Sequence, residues 1–157
     1  MPAADDSAKV PVFPPAIFLI ALAVGFLLQH FLPLSPGDSW RAAGRVAGYA
    51  LVAIGALFMF SAVALFRGAG TTPNPTRPTT ALVFGGPYRL TRNPMYVGLT
   101  LITSGIGLWA STLWPALMAL VAAVIVQRVV ITREEEYLRR KFGTPYDEYC
   151  QRVRRWL

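Results

Sequence analysis

The stretch VAGYALVAIGALFMFSAVALF, residues 46–66, contains no charged side chain and lies between Arg45 and Arg67. A helix needs about 20 predominantly apolar residues to cross the hydrocarbon core of a bilayer. The stretch has that length, and the arginines at its two ends suit the polar surfaces of a membrane. It therefore predicts a membrane-spanning helix.

The composition of the whole chain supports a membrane protein. Of its 157 residues, 54% are hydrophobic and 15% are charged, which is too apolar for an ordinary soluble domain. The net charge of +7 suits nucleic acid, but basic residues beside apolar segments equally suit an anionic membrane surface. We therefore expect membrane lipids as partners and no nucleic acid. Cys150, the single cysteine, has no partner for a disulfide or a metal site, so no metal is expected.

Three further apolar segments complete the predicted transmembrane region. They cover about 15–32, 95–110 and 113–131, and the last two are separated by so few polar residues that they predict a tight helical hairpin. We therefore predict an all-α, polytopic membrane protein with about four transmembrane helices. It forms a single domain, 1–157.

The basic residues predict the orientation of these helices. With an even number of spans, both termini lie on the same side as the loop between the second and third helices. That side holds thirteen of the 15 lysines and arginines, and only Arg41 and Arg45 lie opposite. The excess of positive charge predicts cytoplasmic termini and insertion in the cytoplasmic (inner) membrane.

Glycines recur within the predicted spans at separations that allow two helices to approach closely. We assign them a packing role. They are Gly44, Gly48, Gly55, Gly98 and Gly105.

The stretch GPYRLTRNPMYVG, residues 86–98, interrupts the apolar pattern with arginines and tyrosines. Asn93-Pro94 is typical of a helix start, because asparagine caps free backbone amides and proline lacks the amide that would be unsatisfied. Together with Arg89 and Arg92, that helix N-terminus predicts a binding site for a small anion such as a carboxylate.

Two tyrosines in the same stretch add aromatic faces to this predicted site. They are Tyr88 and Tyr96, and Gly98 permits close approach of a flat ligand or of a neighbouring helix. A second interpretation stays open: a well-capped helix start, with the tyrosines in the interfacial aromatic belt and the arginines among lipid head groups.

The stretch REEEYLRRKFG, residues 133–143, places three consecutive glutamates, Glu134 to Glu136, near the inner end of the fourth predicted helix. Carboxylates oppose the helix dipole at a C-terminus, so either the helix continues through them or they have a functional role. Salt bridges to arginines four residues later would explain a solvated helix. An acidic triplet at a membrane surface still favours a binding role.

The C-terminal stretch YDEYCQRVRRWL, residues 146–157, predicts an amphipathic helix lying on the membrane surface. Its apolar stripe consists of Tyr146, Tyr149, Val153 and Trp156, with Arg152 and Arg155 off the stripe.

These motifs, taken in order, resemble those of the isoprenylcysteine carboxyl methyltransferase and phospholipid methyltransferase families of integral membrane enzymes. The resemblance covers about residues 70–157. It rests on Gly86 to Arg89, Arg92 to Gly98 with Asn93 where those families have histidine, Glu134 and Glu135 with Leu138, Phe142-Gly143, Tyr146 and Tyr149, and Arg152.

The resemblance implies an enzyme that binds S-adenosylmethionine and methylates a lipophilic or lipidated acceptor. The cofactor-binding part is about 70–157, and the implied cofactor-binding residues are Tyr88, Arg92, Asn93, Pro94, Tyr96, Val97, Gly98, Glu134 and Glu135.

Catalytic roles are predicted for Arg152 and Glu135. Arg152 would orient the carboxylate of a prenylated cysteine-like acceptor, whereas a phospholipid amine would need a glutamate to remove its proton. The sequence does not choose between these acceptors. Two further hypotheses stay open: a non-catalytic membrane module that binds lipid or a partner, and a reductase of related fold that uses a nicotinamide cofactor.

Overall fold

The computed structural model describes residues 7–72, 74 and 77–157. In this part of the chain every regular element is helical, which confirms the all-α prediction. The helices are α1 (Pro14–Phe31), α2 (Arg41–Gly68), α3 (Pro94–Trp109), α4 (Trp114–Val126), α5 (Thr132–Phe142) and α6 (Thr144–Arg152). Short 3₁₀ helices cover Asp38–Trp40 and Gly86–Arg89, and a π-helical turn covers Gln127–Ile131.

Three helical segments are long and apolar enough to cross a membrane, in agreement with three of the four predicted spans. They are Pro14–Phe31, Asp38–Gly68 and Trp114–Phe142. The third predicted span corresponds to α3, which has 16 residues and a length of about 24 Å at 1.5 Å per residue. That is shorter than the roughly 30 Å hydrocarbon core. Helix α3 is therefore the predicted span that is not confirmed, and so the predicted number of four spans is not confirmed either.

The fourth predicted span continues past its predicted end at residue 131. Helix α4, the π turn and α5 follow one another without a break from Trp114 to Phe142. The apolar part ends at Ile131, because seven of the 11 residues of α5 are Arg, Lys or Glu. Helix α5 therefore lies beyond the hydrocarbon core and carries the three glutamates into the polar region.

Helices α2 and α3 pack against each other through paired glycines. A Cβ atom added at Gly48 would lie 2.6 Å from the carbonyl oxygen of Gly105, and one added at Gly55 would lie 2.6 Å from that of Gly98. The two backbones are therefore in direct contact along the seam. This confirms the predicted packing role of these four glycines.

Helix α1 packs against α4 on the other side of the bundle. The closest approach is at Gly25, where an added Cβ would lie 2.7 Å from the Cα of Pro115. Nearer the polar end, Phe18 of α1 is buried in one apolar cluster with Ala122 and Val126 of α4. This cluster holds the long helix in place as it leaves the bilayer.

Three separate segments meet at the polar end of the bundle. The N-terminal segment contributes the carbonyl of Lys9, which accepts from Arg133 at 3.2 Å. The loop after α2 is held where the backbone N–H of Thr79 donates to the hydroxyl of Tyr137 at 3.1 Å. The C-terminal tail packs at the same end, where it contacts the start of α3. The two terminal segments and the loop after α2 therefore lie on one side of the bundle, as predicted. The cytoplasmic location of that side stays a prediction.

The C-terminal helix is shorter than predicted. Tyr146 and Tyr149 are buried on α6 as expected, but the helix ends at Arg152 and Val153 has extended backbone angles (φ −123°, ψ 132°). The predicted stripe through Val153 and Trp156 is therefore wrong. The reason is tertiary, since the backbone N–H of Arg92 donates to the carbonyl of Arg154 at 2.8 Å and fixes the tail in an extended conformation.

Candidate functional site

A cavity of about 120 Å³ lies at the polar end, enclosed by the start of α3, by α5 and α6, and by the loop after α2. Its polar walls include Tyr88, Arg92, Asn93, Tyr96, Glu134, Glu135, Tyr137, Tyr146 and Tyr149. Its apolar walls include Phe66, Leu82, Val83, Phe84, Met95 and Leu138. The cavity thus combines aromatic surface with a few convergent charged groups, as small-molecule sites do.

The Gly86–Arg89 3₁₀ helix positions Tyr88 at the cavity wall. Gly86, at its start, has φ +54°, a backbone conformation that favours glycine. The hydroxyl of Tyr149 on α6 donates to the carbonyl of Tyr88 at 2.8 Å, which ties this helix to the C-terminal region. Burial raises the pKa of both tyrosine hydroxyls above the usual range, so both stay protonated.

Helix α3 begins at Pro94, as Asn93-Pro94 predicted, but the asparagine side chain does not cap it. Instead, the Nδ2 group of Asn93 donates to the carbonyl of Arg155 at 3.0 Å, and the hydroxyl of Thr91 donates to the same carbonyl at 2.9 Å. The predicted capping role of Asn93 is therefore wrong. Its amide holds the C-terminal tail against the start of α3.

Glu135 is buried at the centre of a two-arginine clamp. Arg155 makes two hydrogen bonds to it, Nε to Oε1 at 2.9 Å and Nη2 to Oε2 at 2.6 Å. Arg92 adds an ion pair from Nη1 to Oε1 at 3.3 Å. Because Glu135 is only 8% exposed, this pairing is what makes its burial as a charged group tolerable.

Glu134 has a different environment from its neighbour. The hydroxyl of Tyr96 donates to its Oε1 at 2.8 Å, and within the described residues no arginine or lysine pairs with it. Burial raises the pKa of Glu134 to about 7, partly offset by the Tyr96 hydrogen bond and further raised by the neighbouring Glu135 charge. Glu134 is thus the carboxylate of the cavity that no cation neutralises.

Arg92 has one unsatisfied donor. Its Nη1 group donates to the thiol sulfur of Cys150 at 2.7 Å as well as contacting Glu135. Its Nε group is buried and has no hydrogen-bond partner among the described residues. A buried donor without an acceptor is costly, so this atom marks a place where a ligand acceptor would fit.

The structure brings six of the nine predicted cofactor-binding residues to the cavity. Those residues are Tyr88, Arg92, Asn93, Tyr96, Glu134 and Glu135. The other three, Pro94, Val97 and Gly98, are buried in α3 and do not line the cavity. Gly98 instead meets Gly55 in the helix seam.

Arg152, one of the two predicted catalytic residues, lies outside the cavity. It is exposed, it lines a neighbouring groove, and its Nε donates to the backbone carbonyl of Glu148 at 3.3 Å. Arg155 is the C-terminal arginine that reaches the site, and this role was not predicted from the sequence. The sequence RVRRWL, residues 152–157, contains three arginines, and nothing in it indicates which of them reaches the site.

The chain is similar in sequence to one known family and to one bacterial protein. The sequence model of a family described as phospholipid methyltransferase matches residues 43–145, from α2 to the start of α6. An uncharacterized protein from Haemophilus influenzae is 40% identical to the chain over 63 residues, which cover 40% of this chain and 100% of that relative. No solved structure matches the chain.

Proposed function

Since the chain belongs to the phospholipid methyltransferase family, we propose that it is an S-adenosylmethionine-dependent enzyme that methylates an amine of a lipophilic acceptor at the membrane surface. The observation that carries this proposal is the unequal pairing of the two glutamates in the cavity. Glu135 is paired with two arginines, whereas Glu134 lines the cavity and, among the residues that the structure describes, has only a tyrosine hydroxyl as partner.

The residues of the cavity fit the chemical groups of S-adenosylmethionine. The buried Nε of Arg92 lacks an acceptor, and the cofactor carboxylate would supply one. The rings of Tyr88 and Tyr146 offer apolar faces for adenine, and a carboxylate oxygen of Glu134 or Glu135 can accept from the ribose hydroxyls. When bound, the cofactor supplies an electrophilic methyl group on a sulfonium.

The position of the Glu134 carboxylate in the cavity favours an amine acceptor over a carboxylate. Arg92 and Arg155 both pair with Glu135, so among the described residues the carboxylate of the cavity without a cation beside it is that of Glu134. A carboxylate acceptor would be repelled by it, and Arg152, the cation predicted to orient such an acceptor, lies outside the cavity. An ammonium group, in contrast, would be attracted.

Glu134 is the residue that we assign to removing the proton from that ammonium. Burial places its pKa near 7, which is where a general base works best at neutral pH. The Tyr96 hydroxyl holds the carboxylate in position at 2.8 Å. The surrounding apolar and tyrosine side chains exclude water and align the acceptor with the methyl group.

The first experiment is calorimetric titration of the purified protein in detergent with S-adenosylhomocysteine and S-adenosylmethionine. We expect saturable, one-to-one binding that is weakened at least about tenfold by Arg92→Ala, because the buried guanidinium provides the charge-assisted contact. Arg154→Ala is the control, since Arg154 is an exposed arginine of the C-terminal tail and does not line the cavity. A folded parent protein that binds neither compound would contradict the proposal and favour a non-catalytic membrane module.

The second experiment tests the acceptor. Labelled S-adenosylmethionine is incubated with the protein in nanodiscs that contain either phosphatidylethanolamine or a prenylated cysteine. We expect label in the amine lipid, and we expect Glu134→Gln to lower kcat by roughly 100-fold or more, as is typical for loss of a general base, with cofactor affinity changed much less. Label in the prenylated cysteine alone would overturn the amine assignment while leaving methyl transfer intact.

A further inference from the structure

A groove that carries two arginines adjoins the cavity on the surface of the protein. It is lined by Arg89, Arg152, Phe84, Tyr149 and Val153. Phe84 and Tyr149 also line the cavity, and their ring centroids are 4.9 Å apart. The groove and the cavity are therefore two compartments on either side of one aromatic wall.

The fold fixes both arginines at this wall. Arg89 is the last residue of the 3₁₀ helix whose Tyr88 carbonyl accepts the 2.8 Å hydrogen bond from Tyr149. Arg152 is the last residue of α6 and follows Tyr149 by three positions, so it lies about one turn further along the same helix face. One hydrogen bond thus joins the two elements that carry the groove.

Neither arginine of the groove is neutralised. Across residues 7–72, 74 and 77–157, no carboxylate pairs with Arg89, and Arg152 contacts only a backbone carbonyl. Other arginines of the same region do have partners: Arg139 pairs with Asp147 at 2.7 Å, and Arg155 pairs with Glu135. Two unpaired guanidinium groups in one groove repel each other and attract an anion.

The surroundings of the groove suit contact with lipid head groups. Phe84 and Leu90, the apolar side chains beside Arg89, are 43% and 60% exposed. Exposed apolar side chains next to arginines are typical of a surface that contacts a bilayer at its interface. The anion that fits here is therefore one attached to a membrane lipid.

We propose that Arg89 and Arg152 form a subsite for the phosphodiester of the acceptor lipid, with its amine extending past the Phe84–Tyr149 wall into the cavity. This inference rests on the proposed function for the identity of the reacting group. It requires an acceptor whose anion and reacting atom are separated by a short linker, as in a phosphoethanolamine head group. A carboxylate acceptor does not meet this requirement, because its anion is itself the reacting group.

The test is a binding titration that does not depend on methyl transfer. The protein in nonionic detergent is titrated with dihexanoylphosphatidylethanolamine, with inorganic phosphate and with dihexanoylglycerol. We expect the phospholipid to bind, and Arg89→Gln and Arg152→Gln each to weaken it about tenfold, the size of one charge-assisted hydrogen bond. Arg154→Gln is the control, because that exposed arginine does not line the groove, and it should leave the affinity unchanged.

The possible outcomes separate this inference from the proposed function. It is overturned if the groove variants bind the phospholipid as the Arg154→Gln control does, or if dihexanoylglycerol or inorganic phosphate binds the parent as tightly. It is also overturned if the parent binds S-adenosylhomocysteine but no phospholipid, in which case the proposed function stands. Phospholipid binding that is sensitive to both arginines, without any binding of S-adenosylhomocysteine, supports the subsite and rejects the methyltransferase proposal.

Discussion

The seam between α2 and α3 and the polar end of the bundle are held together in opposite ways. In the seam, the contacts are between backbones, and glycine pairs such as Gly48 with Gly105 leave no space for a side chain. At the polar end, side chains from distant parts of the chain make the contacts, as when Arg155 clamps Glu135. Close van der Waals packing of two backbones stabilises the seam, and ion pairs between side chains stabilise the polar end.

This difference explains why the groups available for binding and catalysis lie at the polar end and not in the seam. The seam tolerates little change because each position is fixed by steric contact. The polar end is built on charge pairs, so a single unpaired group, such as Glu134 or the Nε of Arg92, becomes available for chemistry.

The largest effect is expected from breaking the seam with Gly55→Val. The new Cβ would lie 2.6 Å from the carbonyl oxygen of Gly98, which is backbone and cannot move aside. We expect a loss of more than about 4 kcal/mol, enough to leave little folded protein. Gly68→Val is the control, because nothing lies within 4 Å of an added Cβ there. Equal yields and equal thermal midpoints for the two variants would show that the seam is not tight.

The second prediction breaks the clamp with Glu135→Ala. Removal of this carboxylate leaves Arg92 and Arg155 without their buried partner, which costs about 3 kcal/mol or more. Glu136→Ala is the control, since Glu136 is an exposed residue of the same helix whose pair with Arg140 contributes roughly 0.5 kcal/mol. Thermal unfolding in detergent measures both variants, and similar midpoints would show that the clamp does not stabilise the polar end.

The third prediction concerns the unclamped carboxylate and the pH dependence of stability. The pKa of Glu134 is raised from 4.5 to about 7 in the folded protein, so the folded state binds its proton more tightly than the unfolded state does. Stability from this group is therefore fully present below pH 4.5 and is lost as the pH rises through about 7. The total is at most about 3 kcal/mol.

Glu134→Gln should remove this pH dependence. We expect the difference in thermal midpoint between the parent and Glu134→Gln to change between pH 4.5 and 8, with the variant gaining relative stability at the higher pH. The exposed Glu136→Gln is the control. A difference that stays constant with pH would mean that Glu134 has an ordinary pKa, and the general-base assignment would lose its support.

The sequence predicted the bilayer part of the molecule well, because the information there is local. Apolar length and glycine spacing sufficed for three of the four predicted spans and for the seam, and Asn93-Pro94 correctly marked the start of α3. The end of α6 was predicted too late, since Arg152 and Val153 show no helix-breaking residue. The helix stops there because residues 91–93 bind the backbone of the tail, which is about 60 residues away in the chain.

The site was predicted only at the level of residue types. Glu134 and Glu135 are neighbours in sequence, and no local pattern distinguishes the paired carboxylate from the unpaired one. That distinction depends on Arg155, whose position follows from the extended tail, and on Tyr96, which lies 38 residues before Glu134. Tertiary contacts of this kind carry no periodic signal in the sequence.

The smallest expected effect comes from the far end of the tail. The indole Nε1 of Trp156 donates to Oε1 of Gln127 at 2.6 Å, so the tail is anchored where the π turn begins. Trp156→Phe removes this bond and should cost about 1 kcal/mol in stability. Trp40→Phe is the control, because Trp40 is 62% exposed at the other end of the bundle.

The same variant also tests whether the tail positions the clamp. Trp156 follows Arg155 directly, so loosening the tail at Trp156 would weaken the hold of Arg155 on Glu135. We expect affinity for S-adenosylhomocysteine to fall roughly twofold to fivefold in Trp156→Phe and to stay unchanged in Trp40→Phe, since a difference below 1 kcal/mol corresponds to less than tenfold. If stability falls while affinity stays constant, the clamp is positioned by the contacts of residues 91–93 alone, and the anchoring of the tail at the π turn serves the fold and not the site.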